Sequence, residues 1–407
     1  MFCEFDFLTK EQNVLLSLVR KTLFENDLNV DIDSVDLSEL WREANIQTVP
    51  LLSMNTIDSD GGFLGENEYA KNKLQAYFLR NIAVGTEHAH LHNLLSKAGI
   101  SYVIIKGMAS SAYYPDELMR LMGDVDFIVK KEDISATDKV LSDAGYVARK
   151  KENSHHITYD KDGMRCEMHF LPPGIPVGDM GAKISSFFDD ITEKACVKET
   201  SLGGMSMPSV FHHGLILLLH TIHHLTGDGL GLRHLCDWAV FVSHFSEDEF
   251  RNIFESPLKD VGMWRFAVIL TKVCADFLGA TTVINDDVCD ENSCNRLIAD
   301  IFSSGNFGQK NPDRSHESLF ISKNSKDNTN IYSLILNAIL AVNEIVCSHW
   351  KIARKCKLFL IPGWLFFGGR YILRSIMGKR PEIRMNRIID EARERSEFYD
   401  SLKLFEV

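Results

Sequence analysis

Arg120-Leu121-Met122-Gly123-Asp124-Val125-Asp126-Phe127-Ile128-Val129 brings two carboxylates, one residue apart, to the entry of an apolar, β-branched run. In a strand, residues i and i+2 share a face. Asp124 and Asp126 therefore project together, with Val125 and Phe127 on the other face. Two like charges at that spacing are costly unless a cation lies between them. Mg²⁺ suits the position, because it takes oxygen ligands and keeps room for substrate phosphates.

The sequence on either side organises itself around this stretch. Tyr102-Val103-Ile104-Ile105 reads as a short strand ended by Lys106-Gly107, and Met108 to Tyr114 as a short helix with Pro115 at its end. Asp126 to Val129 is a second strand. Ile134 to Ala144 is helical and closes at Gly145. His156–Tyr159 and Met164–Phe170 flank Asp160-Lys161-Asp162-Gly163, a hairpin signal. The block over about 100–172 is thus a compact α/β unit. In Arg165-Cys166-Glu167-Met168-His169-Phe170, alternation puts Arg165, Glu167 and His169 on one face. If that strand lies beside the Asp124/Asp126 strand, Glu167 completes a three-carboxylate cluster able to hold two Mg²⁺ ions about 3.5–4 Å apart. Lys106-Gly107-Met108-Ala109-Ser110 forms a strand-to-helix turn where glycine lets a phosphate approach the backbone. Lys106 adds a point charge there, and Arg120 is a candidate bidentate phosphate clamp.

Each element alone has an ordinary reading: Asp-x-Asp as a solvated strand start, Lys-Gly as a common turn, Glu167 as an edge carboxylate. Their order is more specific than any one of them. The apolar strands also imply partial burial, where unpaired carboxylates are expensive.

On these residues the chain resembles the polymerase-β-like nucleotidyltransferase superfamily, and within it a bacterial group of uncharacterised nucleotidyltransferases. The matching stretch runs Ile104-Ile105-Lys106-Gly107-Met108-Ala109, Tyr113-Tyr114-Pro115 and Arg120 to Asp126. Asp124 and Asp126 match the metal pair, and Glu167 takes a third position usually held by Asp. Gly107 matches the second residue of the usual Gly-Gly or Gly-Ser pair, with Lys106 in place of the first. The resemblance extends to His220–Trp238, with His224, Arg233 and Asp237, and to Leu360-Ile361-Pro362-Gly363-Trp364 with Arg370.

The resemblance implies an α+β protein, in which a small polymerase-β-like mixed sheet is flanked by helical N- and C-terminal regions. It also implies Mg²⁺-dependent transfer of a nucleoside monophosphate from an NTP such as ATP to a hydroxyl or phosphate acceptor, with release of pyrophosphate. Asp124, Asp126 and Glu167 would hold metal, and Lys106, Gly107, Ser110 and Arg120 the triphosphate. Two other readings stay open: a toxin or defence enzyme acting on RNA or protein, and a non-catalytic nucleotide-binding module.

Composition bounds these readings. The 407 residues are 45% hydrophobic and 25% charged, ordinary for a globular chain. A net charge of −12 discourages a broad nucleic-acid surface, which needs clustered Lys and Arg. Nine scattered cysteines without a Cys-x-x-Cys pair imply free thiols in a reducing compartment. The start of the sequence carries no leader pattern, and Leu358–Gly369 is too short to span a bilayer. A cytoplasmic location is expected.

The regions divide as 1–98 helical, 99–205 α/β core, 206–302 helical, 303–331 polar loop or linker, and 332–407 helical. A long helix is expected from Glu68 to Lys97, stopped at Gly99. The C-terminal run is expected to break at Pro362-Gly363 and to end in a solvated helix over 379–404. Aromatic and basic residues in 357–380 are compatible with a membrane surface, but packing on the helical region is favoured.

Histidines cluster after 210. His220 and His224 share a helix face and, with Asp237, have metal-site spacing. The ordinary reading is polar residues packed against the α/β unit. A role for His220, His224, Arg233 and Asp237 near the acceptor is preferred to a metal site. His169 stands on the carboxylate face as an ordering residue, and His88, His90 and His92 are read as surface.

Overall fold

The computed structural model describes residues 5–25, 32–57, 65, 67–149, 156–311, 350–376 and 385–407. It also describes positions 314, 336, 339, 340, 342, 343, 346 and 347. The elements in chain order begin with α1 (Lys10–Phe24), α2 (Leu37–Ile46), α3 (Pro50–Ile57) and α4 (Glu68–Lys97). The α/β part follows: β1 (Tyr102–Ile105), α5 (Gly107–Ser111), β2 (Val125–Val129), α6 (Ile134–Asp143), β3 (Val147–Ala148), β4 (His156–Lys161) and β5 (Met164–His169). After α7 (Asp179–Ser186) come a hairpin, β6 (Cys196–Thr200) and β7 (Gly203–Met207), and then α8 (Val210–Thr226) and α9 (Leu232–Val242). The remaining helices used below are α10 (Glu247–Asp260), α11 (Trp264–Val273), α12 (Glu291–Ser304), α13 (Lys351–Lys355), α14 (Leu360–Ile376) and α15 (Met385–Leu402).

Five strands form one mixed sheet in the order β1-β2-β5-β4-β3. β2 runs antiparallel to β1 and parallel to β5, which returns antiparallel to β4. The β4–β5 turn fits its sequence: Asp162 and Gly163 both have positive φ, +50° and +79°, as a two-residue hairpin turn of the primed type requires. β2 is buried along its whole length. Alternation sorts its side chains onto two faces. Val125, Phe127 and Val129 pack under α4 with Val84, Leu91 and Leu95. Ile128, two residues after Asp126, packs instead into the larger helical core. The carboxylate face of the sheet therefore looks toward the helices that follow it.

That larger core joins both ends of the chain. Leu15, Leu18 and Val19 of α1 share it with Trp238, Phe241, Phe266 and Leu297 of the later helices. Helix α4 closes as expected, at Gly99 with φ +68°.

Three expectations change. Helix α14 runs through Pro362-Gly363 rather than breaking there. Pro362 falls in the first turn, where its missing N–H has no helical partner to lose. Gly363 is packed so tightly that a Cβ would meet Val346 at 2.3 Å. The final helix is not wholly solvated, since α15 buries Ala392, Phe398, Tyr399 and Leu402 in the helical core. The segment 357–380, expected to pack on the helical region, leaves Leu358, Ile361, Leu365 and Phe366 exposed. Of the polar stretch 303–331, residues 303 and 304 end α12 and 306–308 form a 3₁₀ turn. Residues 315–331 lie outside the described residues, as do Lys379 and Arg380. Among the described residues, no helix is long and apolar enough to cross a membrane.

Candidate active site

The parallel pairing of β2 with β5 sets the site. Its register places Asp126 directly beside Glu167 and Ile128 beside His169. Because the strands are in register, the carboxylate face of one continues on the other. His169 Nε2 donates to Asp126 Oδ1 at 2.7 Å and lies 3.5 Å from Glu167 Oε2. Lys106 Nζ, at the end of β1, is 3.7 Å from Asp126 Oδ2. Asp124 stands at the mouth of β2 with Arg165 3.9 Å away. His156 of β4 approaches Glu167 to 3.9 Å.

These contacts set the charges. Burial alone would raise the Asp126 carboxyl, but Lys106 and the His169 hydrogen bond outweigh it and hold it down at about 2. Asp124 moves the other way, raised by burial and by the neighbouring Asp126 charge. Glu167 is lowered, chiefly by its hydrogen bond with His169. Burial opposes a charge on His169, yet hydrogen bonds to Asp126 and Glu167 raise the imidazole above its ordinary value. Two adjacent carboxylates pushed in opposite directions are a mark of acid–base or metal chemistry. One ligand atom each from Asp126, Glu167 and His169 lies within 4.8 Å of the others, close enough to hold an ion.

The cluster opens on a cavity of about 1690 Å³. That exceeds the roughly 300–1,000 Å³ of a pocket for one small ligand. Lys106, Gly107, Asp124, Asp126 and Glu167 form part of its wall, and His220, His224 and Arg233 another part.

A family model described as uncharacterised nucleotidyltransferase matches residues 33–279, more than half of the chain and all of this cluster. The chain belongs to that family. Its chemistry is nucleotidyl transfer, and the protein is an enzyme of the transferase class. No curated protein matches the sequence.

In this nucleotidyltransferase the loop leading to Asp124 is pinned from two sides. From α4, buried Asn81 donates to Leu118 O at 2.6 Å and accepts from Met122 N at 2.9 Å, and Arg80 donates to Gly123 O at 3.0 Å. From α9, Arg233 donates to Leu121 O at 3.0 Å. Sequence reasoning missed Arg80 and Asn81, because nothing local marks a helix residue as the partner of a loop some forty positions away.

Arg120 departs from its expected role. Although it reaches the cavity wall, its Nε and Nη2 form a bidentate pair with Asp237 at 2.6 and 2.7 Å, and Tyr114 also donates to Asp237. The guanidinium thus has a protein carboxylate where the sequence expects a phosphate. Asp237 is correspondingly unavailable to His220 and His224. Ser110 is 1% exposed, stands outside the cavity lining and has no hydrogen-bond partner for its hydroxyl. It does not present that hydroxyl to a triphosphate. Arg233 also lines this cavity, and burial depresses its guanidinium to about 10.

The Lys106-Gly107 turn is strained, as turns at functional sites often are. Lys106 has φ +59° and ψ −146°, and Gly107 φ +38°. A Cβ on Gly107 would lie 3.1 Å from His88 Nε2. The glycine therefore serves a close approach of α4 as well as any phosphate. His88 corrects the surface reading: it is fully buried beneath this turn, and neither ring nitrogen has a hydrogen-bond partner. His90 and His92 are half-buried, and His92 Nδ1 lies 2.9 Å from the Tyr102 hydroxyl.

The later histidines assemble differently from expectation. His220 Nε2 and His224 Nε2 are 2.9 Å apart, and the third member of the group is His234 rather than Asp237. Burial pushes all three imidazoles far below their ordinary value.

Proposed function

We propose that this enzyme moves a nucleoside monophosphate from an NTP to an acceptor hydroxyl or phosphate. The acceptor oxygen attacks the α-phosphorus, the bond to the β-phosphate oxygen breaks, and pyrophosphate leaves. The observation that carries this reading is the in-register Asp126–Glu167 pair, with Asp124 beside it, on the wall of a cavity large enough for two substrates. We read the mixed sheet bearing it as polymerase-β-like.

The donor set fits a hard divalent cation. Asp126 and Glu167 on adjacent strands, with Asp124 at the mouth of β2, supply oxygen ligands of the kind Mg²⁺ prefers, and Asp126 stays ionised despite burial. Asp124, Asp126 and Glu167 would hold the metal, which supplies charge neutralisation at the phosphates and acidifies the acceptor hydroxyl. The residues themselves divide the remaining work. Lys106 meets phosphate charge from the β1 end, and the Gly107 backbone permits close approach. His169 holds Asp126 and Glu167 in place through its ring nitrogen. Glu167, being exposed enough to meet solvent, receives the proton when a hydroxyl is the acceptor. Arg233 offers a second cation farther along the cavity.

Incubating cell extract with α-labelled NTP and the enzyme tests this. Label should enter one class of acceptor with stoichiometric pyrophosphate release. Asp126→Asn should lower the rate on the order of 10²–10³-fold, the usual loss on removing a charge-stabilising group. Label transfer undiminished in that variant would overturn the assignment.

A further inference from the structure

His220 and His224 stand one turn apart on α8, and His234 faces them from α9. Their ring centroids are 4.5, 5.0 and 4.9 Å apart. One nitrogen from each lies within 4.8 Å of the others. His234 is 3% exposed, and its Nδ1 donates to the Gly231 carbonyl at 3.3 Å. That bond fixes the tautomer and leaves the lone pair on Nε2, a nitrogen that is buried and has no partner. An imidazole whose other N–H is tied to a backbone carbonyl is the usual arrangement of a metal-ligating histidine.

We infer that His220, His224 and His234 form a second metal site in the same cavity, one for a divalent transition-metal ion such as Zn²⁺. Three imidazoles suit Zn²⁺, Co²⁺ or Ni²⁺, whereas Mg²⁺ prefers oxygen. The set is three-coordinate from the protein, and His220 and His224 border the cavity, so the open position faces it. Lys106 and Arg233 add positive charge nearby. A neutral three-nitrogen set does not offset that charge, so an anion from the cavity completes the coordination. Asp237 plays no part, being held by Arg120 and Tyr114.

This site stands independently of nucleotidyl transfer. Full-length protein freed of metal is titrated with Co²⁺ alone, and the visible absorption is followed. One equivalent should give tetrahedral-type bands that Zn²⁺ removes and millimolar Mg²⁺ does not. His234→Ala and His224→Ala should each weaken Co²⁺ binding more than about 100-fold, beyond the 10–100-fold typical of losing an outer-sphere partner. Glu167→Gln and Asp126→Asn should leave the spectrum unchanged. Absence of the bands in the wild type, their displacement by Mg²⁺, or their loss in Glu167→Gln overturns the site. Should both histidine variants misfold by circular dichroism, the wild-type stoichiometry and Mg²⁺ competition still decide. Nucleotide binding is read separately, so either proposal can fail alone.

Discussion

Asp237→Ala should cost the fold about 3–5 kcal/mol, the usual penalty for removing one partner of a buried ion pair. Arg120 and Asp237 side chains are only 6% and 4% exposed. Removing the carboxylate leaves a guanidinium without its partner in a desolvated position and strips the Tyr114 hydroxyl of its acceptor. The loss should appear in urea denaturation as a lower midpoint with little change in slope. A double change, Arg120→Met with Asp237→Leu, should recover most of it, because a well-packed apolar pair often replaces a buried ion pair without penalty. A cost below about 1 kcal/mol for Asp237→Ala, the range of an exposed pair, would show Arg120 to be free for phosphate after all.

Acid should destabilise the protein well before its carboxylates titrate. Burial lowers His88 to about 4 and His213 to about 3. A histidine whose folded value is depressed binds a proton on unfolding, so stability is full above its unfolded value, about 6.5, and falls as pH drops toward the folded value. Each group contributes about 1.4 kcal/mol per pH unit below 6.5. His88 and His213 together therefore remove about 3 kcal/mol between pH 7.5 and 5.5. His212, His220, His224 and His234 are lowered too and act in the same direction. His169 acts oppositely, since its raised value adds stability below about 6.5 that is lost as pH rises through the folded value. One such group does not offset the others. Thermal unfolding across pH 5.5–7.5 should show a steep fall in midpoint toward acid, reduced in His213→Phe. A flat profile would contradict the neutral burial of these side chains.

Much of this was legible in sequence because it is local. Period-two alternation assigns Asp126 and Glu167 to faces, and the Asp162-Gly163 turn fixes the hairpin that carries Glu167. Gly99 ends α4 at the predicted place. The adjacency of β2 and β5 was only conditional, since a parallel pairing joins strands far apart in sequence and no short turn announces it. The β6–β7 hairpin escaped notice because β6 is largely exposed and β7 opens on two glycines, which weakens the apolar alternation on which strand recognition depends.

The site shows the same division. Two carboxylates at the entry to one strand can be read directly. What neutralises an arginine cannot, and Arg120 met Asp237 from a helix 117 positions away. His88 reads as surface because no carboxylate or cysteine at a matching spacing joins it and His92, and only the packing of α4 under Gly107 shows it buried. His220 and His224 were visible as a pair at i and i+4. Their spacing with Asp237 is compatible with a metal site, but Arg120 and Tyr114 hold that carboxylate, and His234 is the residue that stands beside them.

We propose that Asp124, Asp126 and Glu167 form the metal-dependent nucleotide site. Calorimetric titration with ATP, GTP, CTP and UTP, with and without Mg²⁺, tests it most directly. At least one NTP should bind in Mg²⁺ and bind far more weakly without it, and Asp126→Asn should abolish that difference. Binding of no NTP in Mg²⁺, or an unchanged metal dependence in Asp126→Asn, would contradict the account.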